Sequence, residues 1–328
     1  MLYTDLGRTG LRISRIAFGT GPVPEVMTQD RLPQQLALVR HALDTGVNWF
    51  DTAATYGQGE SEQNLAVALA EIGASNEVHI ATKVRIMPNQ LDDIPTAVRR
   101  SVANSRKRLQ INQIALLQVH NSVTAERGDE PTSLTPADIL EADGMLESFR
   151  RLRDEGVVRH LGITAIGQAE PLREVIRSGQ FDTIQVPYNL VNPSAGQDVD
   201  ERFEESNYGN IIAECERLRM GVFAIRVFAG GALAGRPPSA HTHTTKFFPL
   251  DLFVRDQQRA KRLVQLLGAG LGVKEAAVRF ALSHPGINSA IIGFGEPDQI
   301  DQVIDMAARG TLSEDLLVRL RQLDYQQS

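Results

Sequence analysis

The 328-residue sequence has little of several things that would indicate particular classes of protein. It contains a single cysteine, Cys215, which excludes an intramolecular disulfide and a cysteine-based zinc site. It has no long apolar run, because stretches such as 114–117 are far too short to span a membrane. Residues 1–5 lack the basic and apolar regions of a signal peptide. These absences lead us to expect a cytoplasmic protein with no membrane-spanning segment.

An excess of positive charge is also missing, since 34 Lys and Arg residues stand against 40 Asp and Glu residues, a net charge of −6. That balance argues against a dedicated nucleic-acid binder and supplies no polybasic patch for a membrane surface. The hydrophobic share of 42 % and the charged share of 23 % are ordinary for a globular protein, which excludes disordered and fibrous architectures. The composition says nothing about the chemistry of the protein, and the sequence indicates no oligomeric state.

Eight short apolar segments recur along the chain, each followed by a segment with helical periodicity. They are rich in Val, Ile and Phe, which is typical of strands buried on both faces of a parallel sheet. The segments are 15–20, 47–51, 78–83, 114–120, 160–164, 183–186, 222–226 and 289–293. Strands that alternate with helices in this way predict an α/β fold, a (β/α)8 TIM barrel, in a single domain of residues 1–328.

A doubly wound open sheet is the alternative fold. Such sheets usually carry a glycine-rich turn that opens a helix after the first strand. Here Gly19-Thr20-Gly21 is followed by Pro22, so the turn does not lead into a helix. The barrel therefore remains the favoured fold.

Segments outside these strands and helices complete the predicted barrel. Residues 2–6 and 11–14 flank a glycine-containing turn and predict an N-terminal β-hairpin that caps the barrel floor. Three long connections, 121–135, 189–205 and 228–250, leave the carboxyl ends of strands. Because barrel enzymes build their active sites at that end, these connections are candidate walls or lids of a site.

Polar side chains end three of the predicted strands: Asp51, Lys83 and His120. A polar residue inside a barrel is costly without a partner, so we expect these side chains to pair. Tyr56 follows Asp51 in a short glycine-containing loop that can bring the phenol back over the barrel mouth. An acid, an amine, an imidazole and a phenol then converge on one small volume.

This set of residues suits proton transfer coupled to hydride transfer. A free tyrosine, with a pKa near ~10, is a poor acid or base at neutral pH, but a nearby ammonium group favours its phenolate. A carboxylate holds that ammonium in place, and an imidazole can orient and polarise a carbonyl group. The sequence shows no activated nucleophile and no metal cage. His241 and His243 resemble a metal pair, but we interpret them as solvated loop residues.

Motifs spread over nearly the whole chain resemble those of the aldo-keto reductases. They are 6–11, 46–53, 56–57, 81–83, His120, 162–164, 185–189, 283–285 and 291–293. The resemblance implies that Tyr56 is the general acid and base, that Lys83 and Asp51 tune it, and that His120 orients the carbonyl group. The overall pattern has a faint similarity to the sugar 1-dehydrogenase branch.

The resemblance also implies a nicotinamide dinucleotide lying across the carboxyl ends of the strands. Gln185 would bind its carboxamide, Arg226 would pack on its ring, and residues 228–231 and 293–299 would hold the pyrophosphate and the adenosine. The implied cofactor-binding residues are Gly19, Thr20, Asp51, Thr164, Gln185, Arg226, Phe228, Ala229, Gly231, Gly293, Phe294, Gly295 and Gln299.

Two departures from the family pattern concern this cofactor. Ala165 stands where many relatives carry an Asn for the carboxamide, although Thr164 keeps the preceding hydroxyl. Residues 293–303 contain no Lys or Arg, whereas Glu296, Asp298 and Asp301 are acidic. A carboxylate repels a 2′-phosphate and accepts hydrogen bonds from a ribose diol. The family favours NADP, and this segment shifts the expectation towards NAD.

We therefore expect an NAD(P)-dependent oxidoreductase that interconverts aldehydes, ketones or aldoses with alcohols. The candidate substrate-pocket residues are Trp49, Tyr56, His120, Asn121 and Tyr188, with packing as the alternative for Trp49 and Tyr188. Two other functions stay open at this point. One is a non-catalytic nicotinamide-binding barrel that regulates a partner, and the other is a Schiff-base lyase that uses Lys83.

Overall fold

Eight parallel strands form a closed barrel, which confirms the predicted (β/α)8 fold. The computed structural model describes residues 1–321 except 202, 204 and 269, and only the backbone of 321. A separate antiparallel pair, β1 (Tyr3–Asp5) and β2 (Arg12–Ser14), forms the expected hairpin. The barrel strands are β3 (Ile16–Gly19), β4 (Trp49–Asp51), β5 (His79–Val84), β6 (Ile114–Val119), β7 (Val158–Thr164), β8 (Thr183–Pro187), β9 (Gly221–Ile225) and β10 (Ser289–Gly293). Consecutive strands are neighbours, and β10 pairs with β3 to close the ring.

Helices follow the barrel strands in sequence. Their ends carry the expected signals: Asp93, for example, accepts a hydrogen bond from the backbone of Thr96 at the start of one helix. The helices are α1 (Leu32–Asp44), α2 (Glu60–Ile72), α3 (Ile94–Leu109), α4 (Pro136–Leu140), α5 (Met145–Asp154), α6 (Ala169–Arg177), α7 (Ile211–Arg217), α8 (Ala240–Thr244), α9 (Leu250–Leu267), α10 (Val273–Ser283), α11 (Pro297–Ala308) and α12 (Glu314–Arg321). In the described part of the chain, no helix has both the length and the apolar character needed to cross a membrane.

The barrel interior is divided into an apolar floor and a polar mouth. Leu6, Leu11 and Ile13 from the hairpin region pack in one buried cluster with Trp49 and Phe223 from the barrel. This packing shows why the hairpin residues are apolar: they close the amino-terminal end of the barrel and exclude water from it. The polar end is left as the place where a ligand can enter.

Five strand ends differ by one residue from the predicted ones, and two of these shifts concern candidate catalytic residues. Lys83 lies one residue before the end of β5, and His120 follows β6 instead of ending it. The backbone N–H of His120 still donates to the carbonyl oxygen of Val84, at 2.8 Å, so the residue is fixed to the strand next to its own. The shifts are of one residue and keep both side chains at the barrel mouth.

The long connection after β9 contains more regular structure than the sequence predicted. It forms a 3-10 turn over Ala229–Ala234 and then α8. His241 and His243 lie in α8, so placing them in a loop was wrong, although both remain exposed. Within the described residues, no cluster of three His, Cys, Asp or Glu side chains could hold a metal ion.

Candidate active site

A layer of buried polar side chains lies directly above the apolar floor of the barrel. Asp51 follows Trp49 by two residues and therefore faces the same side of its strand. Lys83 of β5 is paired in register with Gln118 of β6, and Gln185 lies on β8. These four polar residues come from four different strands, so the closure of the barrel brings them together.

Lys83 is the centre of this layer. Its side chain is 1 % exposed, and its Nζ atom donates to Asp51 Oδ1 at 2.5 Å and to the backbone oxygen of Thr52 at 2.8 Å. A third donation reaches Tyr56 Oη at 3.4 Å. Although burial lowers the pKa of Lys83, the charge of Asp51 and the bonds to Asp51 and Tyr56 raise it above its ordinary value. The amine is therefore a fixed cation at neutral pH.

The other oxygen of Asp51 is also occupied. Gln185 donates its Nε2 to Asp51 Oδ2 at 2.5 Å, and Gln118 donates to the same atom at 3.3 Å. A buried carboxylate with donors on both oxygens is held in one orientation. Both oxygens of Asp51 are therefore engaged by buried donors, and the carboxylate links Lys83 to Gln185.

Tyr56 and His120 face each other at the mouth of the barrel. Their ring centroids are 5.6 Å apart and the rings are nearly perpendicular, at 82°. His120 Nδ1 lies 3.3 Å from the hydroxyl oxygen of Thr55. Burial, followed by the charges of Arg85 and Lys83, lowers the pKa of His120 well below its ordinary value. The imidazole is therefore neutral at physiological pH and has one N–H to donate.

A cleft of about 780 Å³ opens above this layer. Its walls include Tyr56, Lys83, His120 and Asp51 at one end and Gln299 and Val303 at the other. The structure thus brings together the four residues predicted to be catalytic, from β4, β5 and the connections after β4 and β6.

Most of the predicted cofactor residues line the same cleft. They are Gly19, Asp51, Thr164, Gln185, Arg226, Phe228, Gly231, Gly293, Phe294 and Gln299. Thr20 lies beneath it instead, because its hydroxyl contacts the backbone oxygen of Asp51 and the hydroxyl of Ser61. Ala229 and Gly295 do not line the cleft either. Ala229 is fully buried, and the backbone N–H of Gly295 donates to the side chain of Gln299.

Three residues expected in the substrate pocket do not line the cleft. Trp49 is fully buried in the floor, where its ring lies 4.9 Å from that of Phe223. Asn121 is fully buried, and its amide bonds to the backbone of Ile86. Tyr188 stacks on Phe280 at 5.0 Å. The structure corrects these expectations: each of the three side chains is used in packing or in backbone hydrogen bonds.

The donor and acceptor groups of the cleft fit a nicotinamide carboxamide. Thr164 donates its hydroxyl to the backbone oxygen of Val119, at 3.0 Å, which leaves the lone pairs of that hydroxyl as acceptors. Gln185 uses its NH2 group on Asp51, which leaves its side-chain oxygen as a second acceptor. An amide N–H2 group can therefore be bound without the Asn that Ala165 replaces.

Arg226 adopts an arrangement that the sequence did not predict. Its guanidinium carbon lies 3.8 Å from the centre of the Phe248 ring. Its Nη2 atom lies 3.8 Å from Asp256 Oδ2. Burial raises the pKa of Asp256 to about 7 against the opposing charges of Arg226 and Arg255. Arg226 itself has a positive φ of 57°, which is a strained conformation for a residue with a side chain. Its planar group is held at the cleft wall.

The far end of the cleft contains two cations that the sequence analysis missed. Lys274, from the start of α10, donates to Gln302 at 2.6 Å, and burial and the charge of Arg236 lower the pKa of Lys274. Arg236 lies in the connection after β9, with Nη1 close to Gly295. Both residues line the cleft, although neither belongs to segment 293–303.

Sequence reasoning also missed Gln118 and Arg85. An amide within the apolar run 114–119 was a usable signal for Gln118, because a buried amide needs partners. Arg85 follows Lys83 by two residues, and this spacing was the available signal that it also faces the mouth.

Comparisons with known proteins agree with this geometry. The model of the Aldo/keto reductase family matches residues 15–324. The chain is 29 % identical to "Aldo-keto reductase YhdN" of Bacillus subtilis, covering 96 % of this chain and 91 % of that protein. It is 24 % identical to "D-threo-aldose 1-dehydrogenase" of a Pseudomonas species, covering 91 % of each. The holo form of aldo-keto reductase AKR11C1 from Bacillus halodurans has the same fold, with a TM-score of 0.74, 20 % identity, and coverage of 100 % of this chain and 99 % of that one.

Proposed function

The chain belongs to the aldo/keto reductase family and is an NAD(P)-dependent oxidoreductase, and we propose that it interconverts small carbonyl compounds or aldoses with alcohols, using Tyr56 as general acid and base. One observation supports this assignment above the others. The Lys83 ammonium contacts the Tyr56 hydroxyl while it is held by buried Asp51. A cation so placed stabilises the phenolate that remains after Tyr56 gives up its proton.

The residues divide the work of carbonyl reduction as follows. The nicotinamide, when bound, supplies the hydride in reduction and accepts it in oxidation. Tyr56 Oη donates a proton to the substrate oxygen as negative charge develops there. His120, being neutral, donates one ring N–H to the same oxygen and orients the carbonyl group. In alcohol oxidation Tyr56 accepts the proton instead.

The cofactor we propose is NADP. Thr164 and Gln185 would hold the carboxamide, and the 3-10 turn over Ala229–Ala234 would lie along the pyrophosphate. Lys274 and Arg236 supply the positive charge that a 2′-phosphate requires, at the end of the cleft next to Gln299. The expectation of NAD rested on residues 293–303 alone, and these cations come from outside that segment.

The charged state of Lys83 argues against a Schiff-base lyase. An amine must be neutral to attack a carbonyl carbon, whereas the ion pair with Asp51 raises the pKa of Lys83. We also place the enzyme in a reducing, cytoplasmic compartment, in keeping with its one cysteine, which is buried.

The test is a fluorescence titration of the purified protein with NADPH and NADH, followed by turnover assays with aldehydes, ketones and aldoses. We expect tighter binding of NADPH and cofactor-dependent turnover of at least one class. Failure of both dinucleotides to bind at millimolar concentration would overturn the proposal.

A further inference from the structure

The cleft carries a charge opposite to that of the chain. The chain has a net charge of −6, yet among the described residues that line the cleft the only carboxylate is Asp51. The cationic lining residues are Lys83, Arg85, Arg226, Arg236, Lys246 and Lys274. Such a local excess of positive charge attracts anionic ligands and raises their concentration in the cleft.

These cations serve different ends of the cleft. Lys83 is paired with Asp51, and Arg226 faces Asp256. Arg236 and Lys274 lie at the end proposed for the adenosine. The phosphates of the cofactor therefore account for those two cations, but not for a cation at the catalytic end.

Arg85 is the cation at the catalytic end. Its Nε and Nη2 atoms donate to the backbone oxygen of His120, at 3.3 and 3.2 Å. Its guanidinium lies 4.9 Å from the ring centre of Phe247. These contacts fix the plane of the Arg85 guanidinium. Among the described residues, no carboxylate forms an ion pair with it. Nη1 and one N–H of Nη2 are left to bind a ligand, and two adjacent donors match the two oxygens of an oxyanion.

Lys246 adds a second charge next to this position. It precedes Phe247 in the chain, is exposed, and also lines the cleft. An anion bound by Arg85 would therefore find another cation at the rim.

We propose that the substrates carry an oxyanion group, a carboxylate or a phosphate ester, which Arg85 binds while the carbonyl group lies at Tyr56 and His120. This inference rests on the proposed function and names its substrate class. Arg85 is then a specificity-determining residue, because its N–H donors are aimed at a part of the substrate that does not react.

Two matched substrate pairs test it. The first is 4-carboxybenzaldehyde against methyl 4-formylbenzoate, and the second is glyceraldehyde 3-phosphate against glyceraldehyde. We expect kcat/KM for the charged member of at least one pair to exceed that of the neutral member by tenfold or more. The pair that shows the preference identifies the oxyanion as carboxylate or phosphate.

Variants of Arg85 distinguish binding of the substrate oxyanion from structural support of the His120 backbone. Arg85→Met should lower the charged-to-neutral ratio at least tenfold, and Arg85→Lys should retain part of the preference. Arg236→Gln should raise KM for the cofactor and leave unchanged the ratio of kcat/KM between the charged and the neutral substrate. Equal losses on both members of a pair would mean that Arg85 only supports the backbone of His120, which would overturn the inference, as would the absence of any preference in the wild type.

A binding measurement distinguishes failure of the inference from failure of the proposed function. Calorimetric titration of the cofactor-saturated protein with benzoate, and with benzamide as control, should show benzoate binding that weakens at least tenfold in Arg85→Met. If that dependence holds but no carbonyl compound is turned over, the anion site stands and the proposed function fails. If turnover occurs while benzoate binding is absent or independent of Arg85, and glyceraldehyde 3-phosphate is not preferred over glyceraldehyde, the proposed function stands and the inference fails.

Discussion

The side-chain nitrogen of Lys83 lies 3.4 Å from the hydroxyl oxygen of Tyr56. Tyr56 reaches this position from the connection after β4, whereas Lys83 is buried within β5. The contact therefore depends on the 3-10 turn over Tyr56–Gly59, in which Gly57 and Gln58 both have a φ of 55°. A left-handed conformation at these two positions turns the chain back over the barrel mouth and sets the distance between Lys83 and Tyr56 on which the proposed proton transfer depends.

Replacing the tyrosine tests this contact directly. Tyr56→Phe removes the proton donor and leaves the ring, so we expect kcat to fall by about 10²- to 10⁴-fold. The affinity for the cofactor should change little, because the binding groups Thr164 and Gln185 are untouched. Steady-state kinetics and a fluorescence titration with NADPH measure the two effects.

The matched control is Tyr188→Phe, which makes the same chemical change outside the cleft. Tyr188 stacks on Phe280, and we expect the variant to keep its turnover. Undiminished turnover in Tyr56→Phe would contradict the assignment of Tyr56 as the acid and base.

Three residues of the site were predictable from sequence because they are polar and lie at or next to the end of an apolar strand. Asp51, Lys83 and His120 stand out against buried neighbours, and their order along the chain places them at one end of a barrel. Lys274 and Arg236 gave no such signal, because each lies outside the strands and far along the chain from the residues it meets, Gln302 and Gly295. Only the closed fold shows that they meet.

Depth in the barrel was the other quantity that sequence did not supply. The two-residue period correctly places Trp49 on the same side of the strand as Asp51. It does not say that the hairpin residues Leu6 and Leu11 fill the space around Trp49 from below. Trp49 is consequently a floor residue, while Asp51, two residues further along the strand, lines the cleft.

The cofactor preference is tested at Lys274. Lys274→Gln removes one charge-assisted contact with a 2′-phosphate, and we expect KM for NADPH to rise about tenfold, the scale of a hydrogen bond to a charged group. Because NADH has no 2′-phosphate and so loses no such contact, its KM should stay within about twofold of the wild-type value. The control variant is Lys261→Gln, which removes an exposed charge from α9. Equal effects on the two cofactors in Lys274→Gln would refute a 2′-phosphate contact at this residue.

The position of Trp49 in the floor predicts an effect on stability without an effect on specificity. Trp49→Ala deletes a fully buried indole and should lower the free energy of unfolding by about 3–5 kcal/mol. Trp49→Phe removes fewer atoms and should lower the free energy of unfolding by less. It replaces Trp49→Ala in the experiment if that variant does not fold. Urea denaturation measures the cost. A changed ratio of kcat/KM between two carbonyl substrates would show instead that Trp49 contacts the substrate.

Asp256 gives the stability a defined pH dependence. Burial raises its pKa to about 7, from an unfolded value of 3.8. Between these two values the unfolded chain loses the proton while the folded protein keeps it. The contribution of this group therefore favours the folded state fully at low pH, declines as the pH rises from about 4 to 7, and stays constant above that.

Asp256→Asn removes this titration and keeps a side chain of the same shape. The variant should gain free energy of unfolding relative to the wild type as the pH rises from 5 to 8, by a difference on the order of 3 kcal/mol. Asp251→Asn, an exposed change on the same helix, is the matched control and should show no such trend. Urea denaturation of the three proteins at pH 5, 6, 7 and 8 measures the differences. A gain for Asp256→Asn that is constant over this range would mean that Arg226 and Arg255 keep the carboxylate ionised throughout.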